Sequence, residues 1–206
     1  MSEAHRQHWD RRYREGGVAP VLQVPPPLPA FAHVDHLFPT RGQVLEIACG
    51  RGRGAVWLAS RGLTYWGVDV SPVAIDLARR LVELSGVARR CRFDVIDLDA
   101  GLPDGESVDL VLCYLFRDFR LDCAMVDRLV PGGLLAVAVR SEVGVGPEEF
   151  PDGSQRARPG ELREAFGHLE PGSKARLREL SPGRAERGDL PRAHALRPGA
   201  TPLGVG

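Results

Sequence analysis

An α/β fold is predicted for this 206-residue chain, with a doubly wound, mostly parallel sheet covered by helices on both faces. Three observations predict it. Five short apolar runs are interleaved with segments whose apolar residues recur at helical spacing. A glycine cluster, GRGRG, follows the first run, and Asp69 lies at the end of the second. Ligands of such sheets bind at the carboxyl ends of the strands, so that edge is the predicted site.

The first 40 residues are predicted to form a helix and a linker that precede the sheet. Residues 1–17 indicate a short polar helix that ends at Gly16-Gly17. Trp9 and Tyr13 are four residues apart and therefore share one face of it. The next segment, VLQVPPPLPAF, is rich in proline, which disfavours regular helix, so an extended linker or lid is expected.

The sheet is predicted to begin near Gln43. Its five strands are expected in VLEIACG, LTYWGVDV, CRFDVID, VDLVLCYLF and LLAVAVRS. The segment AVWLASRG predicts a helix between the first two strands. Ser71-Pro72 begins the next helix with a hydroxyl cap and a proline at the first helical position, and Gly86 ends it. Further helices are expected over about 120–130, before Pro131-Gly132-Gly133, and in ELREAF.

Residues 1–166 are predicted to form one domain, and residues 167–206 a flexible tail. Glycine, proline and arginine dominate the tail, which has no aromatic residue and only Thr201 and Val205 as β-branched residues. Strands are rich in both classes, so no strand is expected there. The antiparallel strands that would complete the sheet are therefore expected to be missing.

The balance of charge indicates a small-molecule partner. The 27 basic and 27 acidic residues cancel, so no electrostatic footprint for nucleic acid or an anionic membrane is expected. The charged N-terminus lacks an apolar signal region, and no apolar run could span a bilayer, so a cytoplasmic protein is predicted. The four cysteines form no C-x-x-C pair, so buried thiols are expected and a metal site is not. The oligomeric state is not indicated.

The segment from Val44 to Gly54 has the features of a nucleotide-binding turn. It follows an apolar strand and begins a helix, and Asp69 follows Gly50 by nineteen residues, where a carboxylate can accept hydrogen bonds from ribose hydroxyls. A dinucleotide site shares these features. Glu46 lies four residues before Gly50, where an anion would favour a cationic ligand over a pyrophosphate. The spacing is also G-x-G-x-G instead of G-x-G-x-x-G. Both points favour S-adenosylmethionine as the cofactor.

Several ordered motifs resemble those of class I S-adenosylmethionine-dependent methyltransferases. E-I-A-C-G-R-G-R-G is similar to their first motif and V-D-V-S-P to their second strand end, while D-L-D-A-G-L-P resembles the acidic turn after the third strand. D-L-V-L-C-Y and L-V-P-G-G-L-L-A-V resemble the fourth strand and the entry to the fifth. H-W-D-x-x-Y near the N-terminus resembles the tellurite-resistance and thiopurine methyltransferase-like branch. The resemblance spans about residues 5–166 and implies a Rossmann-like fold and methyl transfer to a small-molecule acceptor of unspecified identity.

The resemblance also implies a role for individual residues in binding the cofactor. Four groups are expected: around the methionine part, at the ribose and adenine, under the sulfonium, and closing over the ligand. The residues expected around the methionine part are Glu46, Ala48, Cys49, Gly50 and Gly52, and those at the ribose and adenine are Asp69, Val70, Asp97 and Leu98. Cys113 and Tyr114 are expected under the sulfonium, and Trp9 and Tyr13 are expected to close over the ligand.

Simpler interpretations compete at some of these positions. Asp94 and Asp99 are alternatives to Asp97 at the adenine, and a turn-forming role is open for all three. Trp9, Tyr13 and Tyr114 are also typical packing residues. Arg51 and Arg53 are expected to point to solvent or to pair with nearby acids.

No catalytic residue is assigned from the sequence. If the acceptor is a hydroxyl that needs a base, Asp118, Tyr114 and Glu142 are the nearest candidates, because each follows or ends a central strand. Two other functions remain open: a cofactor-binding or interaction protein with impaired catalysis, and a nucleotide-dependent oxidoreductase on the same architecture.

Overall fold

The computed structural model describes residues 3–141, 156–167, 169 and 192–196. Five α-helices are described: α1 (Glu3–Gly16), α2 (Arg53–Ser60), α3 (Pro72–Leu84), α4 (Asp122–Asp127) and α5 (Glu161–Phe166). The strands are β1 (Gln43–Ile47), β2 (Thr64–Asp69), β3 (Cys91–Val95), β4 (Val108–Tyr114), β5 (Leu129–Ser141), β6 (Arg156–Ala157) and β7 (Arg192–Leu196).

The strands form one sheet in the order β3-β2-β1-β4-β5-β6, with β7 paired to β5. All pairings are parallel except that of β5 with β7. The order runs outward from β1 in both directions, so the fold is doubly wound and has its switch point between β1 and β4. The predicted α/β fold is confirmed.

Both faces of the sheet are buried, as the near-continuous apolar strands predicted. Along β1, Val44 packs with α2 and α3 in one core that includes Trp57 and Ile75, while the next residue, Leu45, belongs to the opposite core with Met125. Side chains alternate along a strand, so Glu46 lies on the same face as Val44. The sheet thus delivers one buried carboxylate to the face covered by α2 and α3.

The predicted start of α3 is confirmed at atomic level. The Ser71 side chain accepts a hydrogen bond from the Ala74 amide at 3.1 Å, and Pro72 is the first helical residue. This cap fixes the turn that directly follows Asp69.

Two segments, the proline-rich linker and Pro131-Gly132-Gly133, differ from the sequence prediction. The proline-rich linker ends in a 3-10 segment, Pro29–Leu37, in which Phe31 is fully buried against Trp57. Three consecutive prolines conceal this segment in the sequence, yet Pro29 itself suits the start of a helical turn. Pro131-Gly132-Gly133 does not end α4, which stops at Asp127; it lies inside β5, where the register of β4 against β5 shifts.

The expectation that no strand follows Phe166 is wrong for residues 192–196. β7 pairs antiparallel with β5, from Leu135 opposite Leu196 to Val139 opposite Arg192. The segment RAHAL has no β-branched or aromatic residue, but the open edge of β5 supplies backbone partners regardless of side chain. Most of the remaining tail, and Glu142, lie outside the described residues. No helix in the described part of the chain is long and apolar enough to cross a bilayer.

Candidate functional site

The backbone turns sharply where β1 and β4 end side by side. Ala48, just after β1, has φ 53°, and Leu115, just after β4, has φ 64°. Within the described residues these are the non-glycine residues with positive φ. Such conformations cost of order 1 kcal/mol or more each and concentrate at functional sites. The strain therefore coincides with the predicted site at the switch point.

Asp69 connects the end of β2 to the glycine loop, residues 48–54. Its Oδ2 accepts a hydrogen bond from the Gly50 amide at 2.9 Å, and its Oδ1 accepts one from the Ser71 amide at 2.9 Å. Burial raises the pKa of Asp69 to about 6, although both amides favour the charged form. The group therefore stays mainly ionised at neutral pH, with lone pairs left for further donors.

Glu46 is the second buried carboxyl group at this edge. Its side chain is 2% exposed and accepts a hydrogen bond from the Tyr65 hydroxyl. Burial raises the pKa of Glu46 to about 8, with Tyr65 acting in the opposite direction. In the ligand-free protein the group is therefore largely protonated at pH 7, and a cationic ligand would favour its ionisation.

The glycines of the loop leave room for neighbouring groups. Gly50 and Gly52 have φ of 53° and 77°, a backbone conformation that residues other than glycine rarely adopt. A Cβ on Gly50 would lie 3.3 Å from the Tyr13 hydroxyl, and one on Gly52 would lie 2.8 Å from the Ala78 Cβ of α3. At Gly52 the close approach that needs glycine is thus to a helix.

Helix α1 lies over the glycine loop and places its two predicted aromatic residues there. Trp9 stacks on Tyr13 with 5.6 Å between ring centroids. Burial, followed by the charge of Asp69, raises the pKa of Tyr13. The expected shared face of Trp9 and Tyr13 is confirmed, and Tyr13 lies next to both Gly50 and Asp69.

Two polar contacts hold α1 in this position. Arg51 Nη1 donates to the carbonyl oxygens of Gly16 and Gly17 at 2.6 and 2.9 Å. The expectation that Arg51 points to solvent or pairs with an acid is therefore wrong, because the end of α1 offers unpaired carbonyls close by. The second contact is a hydrogen bond from the Ser71 hydroxyl to Asp10, which is 5% exposed.

The acids at the end of β3 and in the turn that follows it have distinct partners. Asp97 Oδ1 accepts from the Asp99 amide at 3.0 Å and begins a short 3-10 turn. Asp94 accepts from the Trp66 indole at 2.7 Å and from Arg92 at 2.7 Å. Asp99 pairs with Arg120 at 2.7 Å. The turn-forming role of Asp97 is thus observed. Leu98, next in the chain, is buried beneath the turn.

At the end of β4 the structure separates two predicted neighbours of the sulfonium. Cys113 is buried, and its thiol contacts the Phe116 carbonyl at 3.2 Å. Burial raises the pKa of Cys113 to about 12. Tyr114 is only partly buried, and its ring centroid lies 6.1 Å from that of Phe31. Tyr114 is therefore the residue of this pair with a surface open to a ligand.

The candidate bases are poorly suited to proton abstraction. Asp118 is held by Arg120 at 2.6 Å, and its hydrogen bonds from Arg120 lower its pKa. Burial raises the pKa of Tyr114, which disfavours a phenolate. Glu142 lies outside the described residues.

Sequence reasoning missed three residues that organise the site. Asp10 stood within the H-W-D-x-x-Y motif, which could have identified it. Tyr65 resembles an ordinary core residue of a strand. Arg117 is 8% exposed and pairs with Asp122 and with Glu161 of α5, so it ties the end of β4 to that helix. Nothing in the local sequence predicts its burial.

In the described residues, no group of three His, Cys, Asp or Glu side chains is arranged to hold a metal ion, and the four cysteines are unpaired.

Part of the chain matches a known protein family. Residues 44–133 match the methyltransferase domain family. A 2-heptyl-1-hydroxyquinolin-4(1H)-one methyltransferase of Mycobacteroides abscessus is 27% identical over 176 residues, 80% of this chain and 76% of that protein. A phthiotriol/phenolphthiotriol dimycocerosates methyltransferase of Mycobacterium tuberculosis is 36% identical over 107 residues, 47% of this chain but 37% of that protein.

Solved structures share the fold at low sequence identity. A protein from a study of the conversion of a disulfide bond into a thioacetal group during echinomycin biosynthesis has a TM-score of 0.58 at 23% identity, covering 79% of this chain and 77% of its own. TehB from Haemophilus influenzae has a TM-score of 0.57 at 16% identity, covering 77% and 58%. A methyltransferase from Geobacter sulfurreducens in complex with S-adenosylhomocysteine has a TM-score of 0.54 at 21% identity, covering 72% and 66%. The chain thus shares its fold with S-adenosylmethionine-dependent methyltransferases, and residues 44–133 match the methyltransferase domain family.

Proposed function

We propose that this chain transfers a methyl group from S-adenosylmethionine to a small-molecule acceptor. The observation that carries the proposal is the buried Asp69 carboxylate, joined to the Gly50 amide at the switch point of the sheet. Each oxygen accepts one backbone amide and retains acceptor capacity for one of two vicinal ribose hydroxyls.

The cofactor site is proposed to use the residues predicted from the sequence, all within residues 1–166. Glu46 would face the methionine ammonium, and Asp69 the ribose. Tyr13 and Trp9 would close over the ligand, since α1 already lies against Gly50. The other members are Ala48, Cys49, Gly50, Gly52, Val70, Asp97, Leu98, Cys113 and Tyr114.

The acceptor is proposed to be nucleophilic without help from a base. S-adenosylmethionine supplies an already activated methyl group, so the protein mainly contributes orientation and a water-poor site. In the described part of the chain, Asp118 is held by Arg120 and the pKa of Tyr114 is raised, so neither suits proton abstraction. The name of the Mycobacteroides abscessus relative makes hydroxylated heteroaromatic compounds the first acceptors to test.

The first test is cofactor choice. Thermal-shift and calorimetric titrations with S-adenosylhomocysteine and NAD, side by side, should show binding of the former only. Selective stabilisation by NAD would instead support a nucleotide-dependent oxidoreductase.

The second test is turnover. S-adenosylhomocysteine release is measured over a panel of hydroxylated heteroaromatics, thiols, amines and chalcogen oxyanions. Tight cofactor binding without turnover across the panel would support a cofactor-binding protein with impaired catalysis. Turnover of oxyanions alone would support the tellurite-resistance and thiopurine methyltransferase-like branch. Cytoplasmic location and the lack of a nucleic-acid partner stay predictions.

A further inference from the structure

Tyr65 extends toward the proposed cofactor edge of the sheet from near the start of β2. Its side chain is 1% exposed, and its ring packs on Phe93 with 5.6 Å between centroids. Tyr65 pairs with Val44 in the sheet, whereas Gly67 pairs with Glu46. The ring therefore has to extend along the strand toward Gly67 to bring its hydroxyl to Glu46.

Gly67 provides the space for this path. A Cβ at Gly67 would lie 2.8 Å from Tyr65 Cε1, 3.0 Å from its hydroxyl and 2.9 Å from the Cys49 sulfur. These distances are shorter than real Cβ contacts, so any side chain at Gly67 would displace the tyrosine or the thiol. The Y-x-G spacing of β2 is thus specific for a tyrosine that lies along the strand.

The Glu46 carboxyl is confined on its other side by α2. A Cβ at Gly54, in the first turn of α2, would lie within 3 Å of both carboxyl oxygens. The carboxyl is therefore fixed between the start of a helix and the Tyr65 hydroxyl, which donates to its Oε2. Two glycines and one tyrosine determine where this buried carboxyl lies.

We propose that Tyr65 is a positioning residue that holds the Glu46 carboxylate for the ammonium group of the cofactor's amino-acid part. This inference rests on the proposed function. It attributes the site's selectivity for ligands with an amino-acid part to the Tyr65–Glu46 pair. The Tyr65 hydroxyl does not itself need to touch the cofactor.

The hydrogen bond from the Tyr65 hydroxyl helps to determine whether Glu46 is ionised, because few other groups around Glu46 favour its charged form. The ionisable groups coupled electrostatically to Glu46 are Tyr65 and Asp69 from β2, Cys49 from the glycine loop, Tyr114 from β4, and Cys113, which lies on the opposite face of the sheet. Each of these is neutral or anionic near pH 7. Among them, only the Tyr65 hydroxyl favours ionised Glu46.

The test compares two ligands in Tyr65→Phe. S-adenosylhomocysteine carries the amino-acid part, and 5′-methylthioadenosine has the same ribose and adenine without it. The variant should bind S-adenosylhomocysteine about tenfold more weakly, as expected for loss of a hydrogen bond to a charged group. Affinity for 5′-methylthioadenosine should change less than about twofold. The pH at which S-adenosylhomocysteine affinity is half-maximal should rise by about one unit, since a donor to the carboxylate is lost.

The matched control is Trp66→Phe, next to Tyr65 on the opposite face of β2. It removes the hydrogen bond from the indole to Asp94 but leaves Glu46 untouched. Both ligand affinities and the pH profile should be those of the wild type. Equal losses for both ligands in Tyr65→Phe, or an unchanged pH profile, would overturn the proposal.

Glu46→Gln keeps the proposal testable if Tyr65→Phe does not fold. It should flatten the pH profile and reduce the preference for S-adenosylhomocysteine over 5′-methylthioadenosine. A full preference in Glu46→Gln would overturn the proposal. Failure of the wild type to bind either ligand would overturn the proposed function instead, so the two failures are distinguishable.

Discussion

Replacing Glu46 by glutamine should stabilise the ligand-free protein, and increasingly so as the pH rises. Burial raises the pKa of Glu46 from 4.5 to about 8, so over this range the folded state retains a proton that the unfolded chain has released. Because the unfolded state then binds fewer protons, the free energy of unfolding falls as the pH rises. At about 1.4 kcal/mol per pKa unit, the full effect is about 5 kcal/mol, of which about 3–4 kcal/mol develops between pH 5 and pH 8.

Urea unfolding of the wild type and Glu46→Gln at pH 5, 6, 7 and 8 measures this effect. Glutamine keeps a carbonyl oxygen that can accept from Tyr65, so the packing of the two proteins should be similar. Asp69 titrates in both proteins, and its contribution largely cancels in the difference. Glu83→Gln, on the exposed face of α3, corrects for removal of a surface charge. A difference in unfolding free energy that stays constant from pH 5 to pH 8 would refute the assigned burial cost.

Three further changes test the site. Asp69→Ala should weaken S-adenosylhomocysteine binding by about 2–4 kcal/mol in calorimetry, because a charged acceptor for two ribose hydroxyls is lost. Gly52→Ala should lower the free energy of unfolding by about 1–3 kcal/mol in urea titration, since its Cβ would contact α3 at Ala78 in a left-handed conformation. Arg51→Ala should accelerate trypsin cleavage within α1, because Arg51 holds the carbonyls of Gly16 and Gly17.

Each change has a matched control. Asp76→Ala removes an exposed carboxylate of α3 and should leave cofactor affinity unchanged. Gly86→Ala has a similar φ of 73° but nothing within 4 Å of its Cβ, so it should cost less than Gly52→Ala. Arg53→Ala removes the neighbouring exposed arginine and should not change cleavage of α1. Equal effects in a variant and its control would contradict the reason given for that variant.

The central strands and the caps of the helices could be predicted from the sequence because their causes are local. Apolar runs identify buried strands, and Ser71-Pro72 identifies the start of α3. β7 could not be predicted because its pairing depends on the free edge of β5 and its own side chains carry no strand signal. The 3-10 segment at Pro29–Leu37 was hidden for a similar reason: the burial of Phe31 comes from Trp57, far along the chain.

The residues of the candidate site also fall into those that the local sequence predicts and those that depend on distant parts of the chain. The positions of Asp69 and Glu46 beside the glycine loop were predictable because each stands at a fixed distance from it in the sequence, while their roles toward a cofactor stay predictions. Tyr65 was not, because it pairs with Val44 in the sheet, and its hydroxyl reaches Glu46 only because its ring extends along β2 past Gly67. Arg51 was placed wrongly because the carbonyls that it binds belong to α1, more than thirty residues earlier in the chain.

The three glycines of the loop illustrate why a spacing motif alone underdetermines a site. A side chain would meet the hydroxyl of Tyr13 at Gly50, helix α3 at Gly52 and the carboxyl of Glu46 at Gly54. Gly50 therefore leaves room for the covering helix α1, Gly52 allows α2 and α3 to pack, and Gly54 leaves room for the buried Glu46 carboxyl, which we propose faces the cofactor's ammonium group. The G-x-G-x-G spacing therefore depends on these contacts within the protein as well as on the space that a ligand needs. A pyrophosphate-binding turn has no need to accommodate a buried carboxyl at its third glycine, so the Gly54–Glu46 contact is the strongest internal argument for S-adenosylmethionine over a dinucleotide.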